Sequence, residues 1–199
     1  MPTINLLPNV DVSNSPAWTL STGSDLYHLL TNNDSPSNSS LDGSCITATA
    51  AGKKCIVEFD DLDYTGLNIG SITSVTAVVL SSIYDRGMDY KIGVRILDGS
   101  SSELWAEELT GTLNSSGNYI TNTFTARTTD GTDAWVDGDI DDIRMEIHNS
   151  TQSGGTLRVT YAYFIITYEE VAIPPYTSDD NVILKNGLME LKNGLTIIK

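Results

Sequence analysis

Basic residues, histidines and long apolar runs are scarce in this chain of 199 residues. Only 11 residues are lysine or arginine, against 26 aspartates and glutamates, and the formal net charge is −15. A surface of this sign repels phosphate backbones and anionic bilayers, so we expect no nucleic-acid partner and no membrane partner. No apolar run reaches the roughly 18 residues that a membrane-spanning helix needs. The acidic surface predicts high solubility, docking onto a basic partner protein, or both.

Cysteine is almost absent, with Cys45 and Cys55 as the two examples. They flank a stretch, residues 46–54, that reads as two strands joined around Ala51 and Gly52. A disulfide across this hairpin is geometrically possible. Two reduced, buried thiols are the preferred prediction, because a cytosolic protein keeps such thiols reduced. The first residues contain no basic region followed by an apolar block, which predicts no signal peptide.

Motifs of known catalytic and metal sites are also missing. The chain has two histidines and no Gly-x-Ser-x-Gly, His-Glu-x-x-His, Gly-Lys-Thr or paired-cysteine zinc motif. Acidic residues crowd in 130–133 and 137–142, but an EF-hand needs a glycine at its sixth position and a closing glutamate, and both are missing. We therefore expect a solvated loop there, no bound metal, no cofactor and no enzyme activity.

Turn-forming residues and short alternating segments are abundant. Apolar residues make up 40% of the chain, which is enough for a core, and glycine occurs 16 times among frequent Ser, Thr, Asn and Asp. We count about nine strand candidates at spacings near a dozen residues and no long helix. Residues 1–172 are therefore predicted to form an all-β, antiparallel, jelly-roll-like β-sandwich.

Local patterns place several elements within this body. Residues 9–16 are turn-rich, and residues 25–30 predict a short helical turn. Residues 45–49 and 53–59 predict the first clear pair of strands. Residues 156–168 are the longest strand candidate, and the apolar run at 164–166 predicts a central position that is covered on both sides. The side chains predicted to share one face of that strand are Leu157, Val159, Tyr161 and Tyr163.

The strand pattern stops after residue 172. Pro174 and Pro175 predict an extended linker over residues 173–180, since proline fixes the backbone and cannot donate to a ladder. The sequence Leu-Lys-Asn-Gly-Leu then occurs twice, at 184–188 and 191–195. Asn-Gly favours a two-residue hairpin turn, so residues 181–199 predict a small β-meander. A heptad coiled coil is the rival interpretation, and the glycines and β-branched residues argue against it.

A meander of this size has almost no core of its own. We expect it either to fold back on the sandwich or to bury its apolar residues against another chain. We favour burial against another chain, in a homo-oligomer (a trimer or dimer) or by extension of a partner's sheet. The predicted partner-interface residues are Val182, Ile183, Leu184, Leu188, Leu191, Leu195, Ile197 and Ile198.

Three tryptophans are the candidates for a ligand site. Trp18, Trp105 and Trp135 could stack on sugar rings if the faces of their indoles are exposed. One sequence does not show whether they are, and core packing is the preferred prediction for each of them. Glycan stacking on these three residues is kept as the alternative.

The order of several short motifs resembles a domain of tailed-bacteriophage virion proteins. The resemblance covers about residues 3–170 and implies a jelly-roll-like sandwich in a phage particle. It depends on the order of the motifs together, and the tail after Pro175 lies outside it. The motifs are Pro-Asn-x-Asp within residues 4–13, Trp18, residues 25–30, Cys-Ile-Thr at 45–47, Glu-Phe-Asp at 58–60, Ile-x-Ser-Val at 72–75, Trp135 with the acidic turn 139–143, and Gly-Gly-Thr-x-x-Val at 154–159 leading to Tyr168.

The resemblance implies a non-enzymatic structural protein of the virion, assembled in the host cytoplasm. The first function that we expect is a capsid decoration (cement) or head-fibre protein bound to the major capsid protein or to other virion proteins. The alternative is a tail- or fibre-associated module that binds a host glycan through exposed aromatic residues. A depolymerase-like enzyme is the least favoured of the three.

Overall fold

A computed structural model describes residues 1–15, 17–21, 23–31, 45–62, 67, 69–83, 91–110, 119–150, 156–171, 182–185, 188–191 and 196–197. Its main body is two antiparallel sheets packed face to face, which confirms the predicted all-β sandwich. The elements of this body are β1 (Thr3–Leu6), β2 (Pro8–Ser13), β3 (Thr19–Leu20), α1 (Leu26–Leu30), β4 (Ile46–Ala48), β5 (Lys54–Phe59), β6 (Ile69–Ile83), β7 (Ile92–Leu97), β8 (Glu103–Leu109), β9 (Ile120–Thr123), α2 (Asp137–Ile140), β10 (Arg144–Asn149) and β11 (Leu157–Glu170).

Each sheet contributes one apolar face to the core. The six-stranded sheet has the order β3-β4-β11-β6-β9, with β1 pairing a later stretch of β11 than β4 does, and the five-stranded sheet has the order β2-β5-β10-β7-β8. Alternate residues point inward, as in Cys55, Val57 and Phe59 of β5. Phe59 meets Phe164 of the opposite sheet with ring centroids 4.5 Å apart, so aromatic packing joins the two layers at this point. None of the helices among the described residues is long and apolar enough to cross a membrane.

The two strands beside the cysteines do not form the predicted hairpin. β4 pairs β11 in the six-stranded sheet, whereas β5 pairs β10 in the five-stranded sheet. The turn between them crosses from one layer to the other, with Gly52 at a φ of +76° and its N–H donating to the carbonyl of Asn149 at 2.8 Å. Cys45 and Cys55 are separate buried thiols, and burial raises the pKa of both.

The turn-rich segment after Pro8 is a strand, contrary to prediction. β2 lies at the edge of its sheet, where the missing N–H of Pro8 at its first position is tolerated. β2 also stabilises α1, which forms as predicted. The carboxylate of Asp11 accepts the backbone N–H groups of Leu26 and Tyr27 at 2.7 and 2.8 Å, at the helix end where such groups have no partner in the helix.

A β-bulge in β11 overturns the predicted face assignment. Val159 lies opposite Ser81, and Tyr161 lies opposite Leu80, so β11 has one residue more than β6 at this point, and Thr160 is that extra residue. Leu157 and Val159 point into the core before the bulge, and Ala162 continues the inward row after it. Tyr161 and Tyr163 therefore point away from the core, on the outer face of the six-stranded sheet.

The C-terminal segment forms the predicted three-stranded meander. Its backbone contains β12 (Val182–Lys185), β13 (Leu188–Leu191) and β14 (Thr196–Ile197), paired antiparallel in that order. Val182 lies opposite Leu191, and Met189 lies opposite Ile197. Leu195, Ile198 and the linker predicted over 173–180 lie outside the described residues, and the interface role of this segment stays a prediction.

Candidate functional site

The three tryptophans occupy different environments. Trp18 and Trp135 are only 2% and 3% exposed, which confirms core packing for both and leaves neither ring a face for a sugar. The indole N–H of Trp135 donates to the carbonyl of Arg127 at 2.8 Å, which satisfies its polar group inside the core. Trp105 is half-buried on the edge strand β8. Glycan stacking therefore stays open for Trp105 and is excluded for the other two.

A pair of outward-facing tyrosines on β11 forms an aromatic surface. The rings of Tyr161 and Tyr163 are half-buried, with centroids 4.9 Å apart and planes tilted by 42°. Burial raises the pKa of Tyr161, and the neighbouring Tyr163 adds to the effect. We call Tyr161, Tyr163 and the next outward residue, Ile165, the tyrosine face.

The tyrosine face has an apolar floor and a hydroxyl-bearing side. Leu80 and Val78 of β6 lie directly opposite Tyr161 and Tyr163, and both are buried. The next strand, β9, places Thr121 beside Leu80 and Thr123 beside Val78, and both threonines are exposed. Directly paired residues of a sheet point to the same side. The face therefore combines aromatic rings with hydroxyl groups that can donate and accept hydrogen bonds.

The other side of the tyrosine face is bounded by α1 and β4. Thr31, at the end of α1, forms a β-bridge with Tyr161, so the helix fills the space between the parts of β11 that pair β4 and β1. Arg158 is the preceding outward residue of β11, opposite Thr47 on β4 and Ser82 on β6. A positive charge thus lies at one end of the tyrosine face.

A small cleft opens where the two sheets meet along the edge strands β8 and β9. Its floor is formed by buried apolar side chains of both sheets, and its mouth by polar residues and Trp105. Including the mouth, the cleft encloses about 230 Å³. We call it the Trp105 cleft; it is lined by Ala77, Val94, Ile96, Trp105, Ala106, Glu108, Phe124, Thr125 and Arg127.

Hydrogen bonds and an ion pair fix the polar side of the Trp105 cleft. Glu108 accepts the hydroxyl of Thr125 at 2.8 Å and an N–H of Arg127 at 2.7 Å. The guanidinium carbon of Arg127 lies 4.5 Å from the centre of the Trp105 ring, in a cation–π contact. The indole N–H of Trp105 donates to the carbonyl of Thr129 at 2.8 Å. These contacts join β8 of one sheet to the segment after β9 of the other.

The outer face of the five-stranded sheet is charged rather than aromatic. Glu146 is 5% exposed and lies between Lys54 and Arg95, with a nitrogen–oxygen distance of 3.4 Å to each. Glu107 reaches across Gly93 to contact His148, and a side chain at position 93 would occupy that path. Glu146 is thus paired with two cations and Glu107 with a histidine ring, an arrangement that points to no particular ligand.

Acidic residues are concentrated in the segments 130–133 and 137–142, which are the candidates for a metal site. Within the described ranges, no group of three or more His, Cys, Asp or Glu side chains is placed to bind a metal ion. Burial raises the pKa of Asp141, and repulsion from Asp61, Asp142 and Asp137 adds to the rise. The carboxylates around Asp141 therefore repel one another.

No protein-family model matches the chain, and no curated protein matches it. Among solved structures, it is similar to the xylan-binding module CBM15, with 13% identity, coverage of 85% of this chain and 100% of that one, and a TM-score of 0.45. The chain is also similar to the CBM36-1 domain of a multidomain xylanase from the hindgut metagenome of Trinervitermes trinervoides. The identity is 9%, the match covers 85% of this chain and 100% of that one, and the TM-score is 0.38. A third similar structure is the enzymatically active domain of bacteriophage CBA120 tailspike protein 4. The identity is 14%, the match covers 75% of this chain and 19% of that one, and the TM-score is 0.37.

Structural similarities with identities and TM-scores this low do not assign a function to the chain. The architecture rests on the strand pairing described above, and virion membership stays a prediction. The comparisons give the capsid-decoration hypothesis no support.

The tyrosine face was missed by sequence reasoning because strict alternation was assumed along β11. A signal was nevertheless present in the sequence. The inward apolar residues of β11 have odd numbers before position 160, as in Leu157 and Val159, and even numbers after it, as in Ala162, Phe164 and Ile166. Such a change of parity within one strand requires an extra residue, which is a bulge.

Proposed function

We propose that this chain is a non-catalytic glycan-binding module whose ligand stacks on Tyr161 and Tyr163. The observation that carries the proposal is the tyrosine pair itself: two rings in contact, both partly open to solvent, on the outer face of a sheet. An aromatic ring offers an apolar surface, against which the C–H face of a pyranose packs, and a tyrosine hydroxyl adds a polar group at the edge.

The position of the pair within the sheet favours binding. β11 is hydrogen-bonded to β6 on one side and to β4 and β1 on the other, so the backbone that carries both rings is held from two directions. A surface that is already ordered loses little conformational entropy when a ligand binds. The exposed hydroxyls of Thr121 and Thr123 lie where a sugar's hydroxyl groups would need partners.

Charge favours a neutral glycan. The chain carries a net charge of −15, which repels polyanionic sugars at long range. Arg158 is a single positive charge at one end of the face and is opposed by the field of the whole protein. We therefore expect neutral oligosaccharides to bind more tightly than uronic-acid polymers, above all at low ionic strength.

Replacing both tyrosines by alanine (Y161A/Y163A) should weaken glycan binding on the order of a hundredfold, because both stacking surfaces are lost. The measurement is binding to an array of neutral and acidic oligosaccharides, followed by calorimetry on the best ligand. The matched control is Y161F/Y163F, which keeps both rings and should keep most of the affinity.

Thermal unfolding of both variants checks that the outward substitutions leave the sandwich folded. Binding that survives the alanine pair unchanged, or a native chain that binds no glycan on the array, would contradict the proposal.

A second candidate function is assembly through the C-terminal meander. The observation that favours it is the separate three-stranded sheet formed by β12, β13 and β14. A segment of about twenty residues buries too little surface to be a stable unit in water without further packing. We propose that this sheet attaches the sandwich to further copies of the chain or to another virion protein, as a capsid decoration or fibre protein would require.

Deleting residues 176–199 should convert an oligomer into a monomer while the sandwich stays folded, because β12, β13 and β14 belong to neither sandwich sheet. Sedimentation velocity reports the oligomeric state, and near-ultraviolet circular dichroism reports the packing of the core tryptophans. The same number of chains per particle before and after the deletion would rule out the assembly role.

A further inference from the structure

The Trp105 cleft lies on a different surface from the tyrosine face, and its shape and chemistry suggest a ligand of its own. We propose that it receives the acetamido group of an N-acetylated sugar. This inference does not depend on the tyrosine face, because the cleft lies at the flank between β8 and β9 and the tyrosines lie on the outer side of β11.

The floor of the cleft fits a methyl group. It is made by Ala77, Val94, Ile96 and Phe124, all apolar and all buried. The cleft, which is partly open, has room for one small group of about the size of a water molecule. A sugar ring or a branched aliphatic side chain is too large for this space. The methyl of an acetyl group is only slightly larger than water, and its polarity matches the apolar floor. Water held there would have few polar partners on the floor.

The rim of the cleft fits the amide of the same group. Arg127 has five N–H donors in a planar fork, and one of them is directed to Glu108. The contact with Trp105 and the ion pair with Glu108 hold the guanidinium in place. An acetamide whose methyl enters the floor places its carbonyl oxygen at the rim, beside the guanidinium of Arg127.

The charge at the rim selects a neutral group. A free carboxylate would also attract Arg127, but Glu108 already neutralises that charge from 2.7 Å away. A second anion beside Glu108 would be repelled, whereas an amide carries no charge. Because the exposed surface at the mouth includes Thr125 and the polar ends of Glu108 and Arg127, the rest of the ligand should be polar, as a sugar is.

The test is a nuclear magnetic resonance titration of the full chain with N-acetylglucosamine and, separately, with glucose, which lacks the acetamido group. We expect N-acetylglucosamine to shift the indole N–H resonance of Trp105 in a saturable way, and glucose to leave it in place at the same concentration. The variant A106L adds a side chain at the exposed mouth and should lower the affinity about tenfold or more.

The matched control is A126L, an exposed alanine close in sequence to the rim that does not line the cleft. It should give the same saturable shift of the Trp105 resonance as the native chain. An equal response to glucose, no response to N-acetylglucosamine, or equal losses in A106L and A126L would overturn the proposal. A third arm with N-acetylalanine methylamide tests the source of the amide, and tighter binding of that peptide than of the sugar would also overturn it.

Discussion

Deletion of Ala162 from β11 is expected to abolish folding, whereas deletion of Thr160, two residues earlier, is expected to leave the sandwich folded. Without Ala162, one of two costly arrangements follows. Either the residues after it exchange faces and the fully buried Phe164 is directed to solvent, or the bulge is lost and the large ring of Tyr161 enters the core place of Ala162. Without Thr160, the bulge disappears, and Val159 and Tyr161 become consecutive residues of a regular strand. Their side chains keep their present directions, inward and outward.

The two deletions have different costs because they differ in what stays buried. Loss of Ala162 puts at risk the inward row Phe164, Ile166 and Tyr168, and truncation of a single large core side chain already costs about 3–5 kcal/mol. Loss of Thr160 removes one buried polar residue and restores a regular ladder with β6. We expect a change in the free energy of unfolding of about 1–2 kcal/mol for this deletion.

Chemical denaturation followed by tryptophan fluorescence distinguishes the two variants. A folded Thr160 deletion should also retain glycan binding, since the tyrosine face keeps its orientation. If both deletions fold equally well, or if both unfold, then Thr160 is not the extra residue of this strand and the tyrosine face is misassigned.

The sequence predicted where strands lie better than it predicted how they pair. The apolar positions of β5 and β7 show which side chains are inward, because an alternating apolar pattern is a signal that a few consecutive residues carry by themselves. Whether β4 pairs β5 or β11 depends on residues more than a hundred positions away along the chain. The turn at Gly52 is compatible with a hairpin and also with a chain that crosses from one sheet to the other. The residue types in the turn therefore did not distinguish these two arrangements.

The candidate site was harder to predict because it depends on ring exposure and on one bulge. Trp18 and Trp105 have similar local sequence signals, yet one is in the core and the other lies at an edge. That difference follows from strand order: β8 ends the five-stranded sheet, and edge residues are incompletely covered. For Tyr161 and Tyr163, a parity change in the strand was available as a signal, but it is visible only when the whole apolar row is followed.

Alanine at Gly131 should destabilise the protein by about 3 kcal/mol and displace Trp105 from its present position. Gly131 has a φ of +107°, which side-chain-bearing residues rarely adopt, and a Cβ there would overlap the carbonyl oxygen of Leu104. That oxygen belongs to the backbone of β8, so it cannot move without moving the strand. The neighbouring carbonyl of Thr129 holds the indole of Trp105, and the same shift would therefore alter the cleft.

Alanine substitutions at two other glycines distinguish the cost of backbone strain from the cost of steric overlap. Gly52 has a φ of +76°, and no atom lies within 4 Å of the place that a Cβ would take, so G52A should cost only the strain, about 1 kcal/mol. Gly138 lies in α2 with open space and no positive φ, and G138A should be neutral or stabilise by up to about 1 kcal/mol. Equilibrium unfolding of the three variants should rank them G131A, G52A, G138A in order of decreasing loss. If G131A loses no more than G52A, the segment after Arg127 does not pack on β8, and the wall of the Trp105 cleft is not where the structure places it.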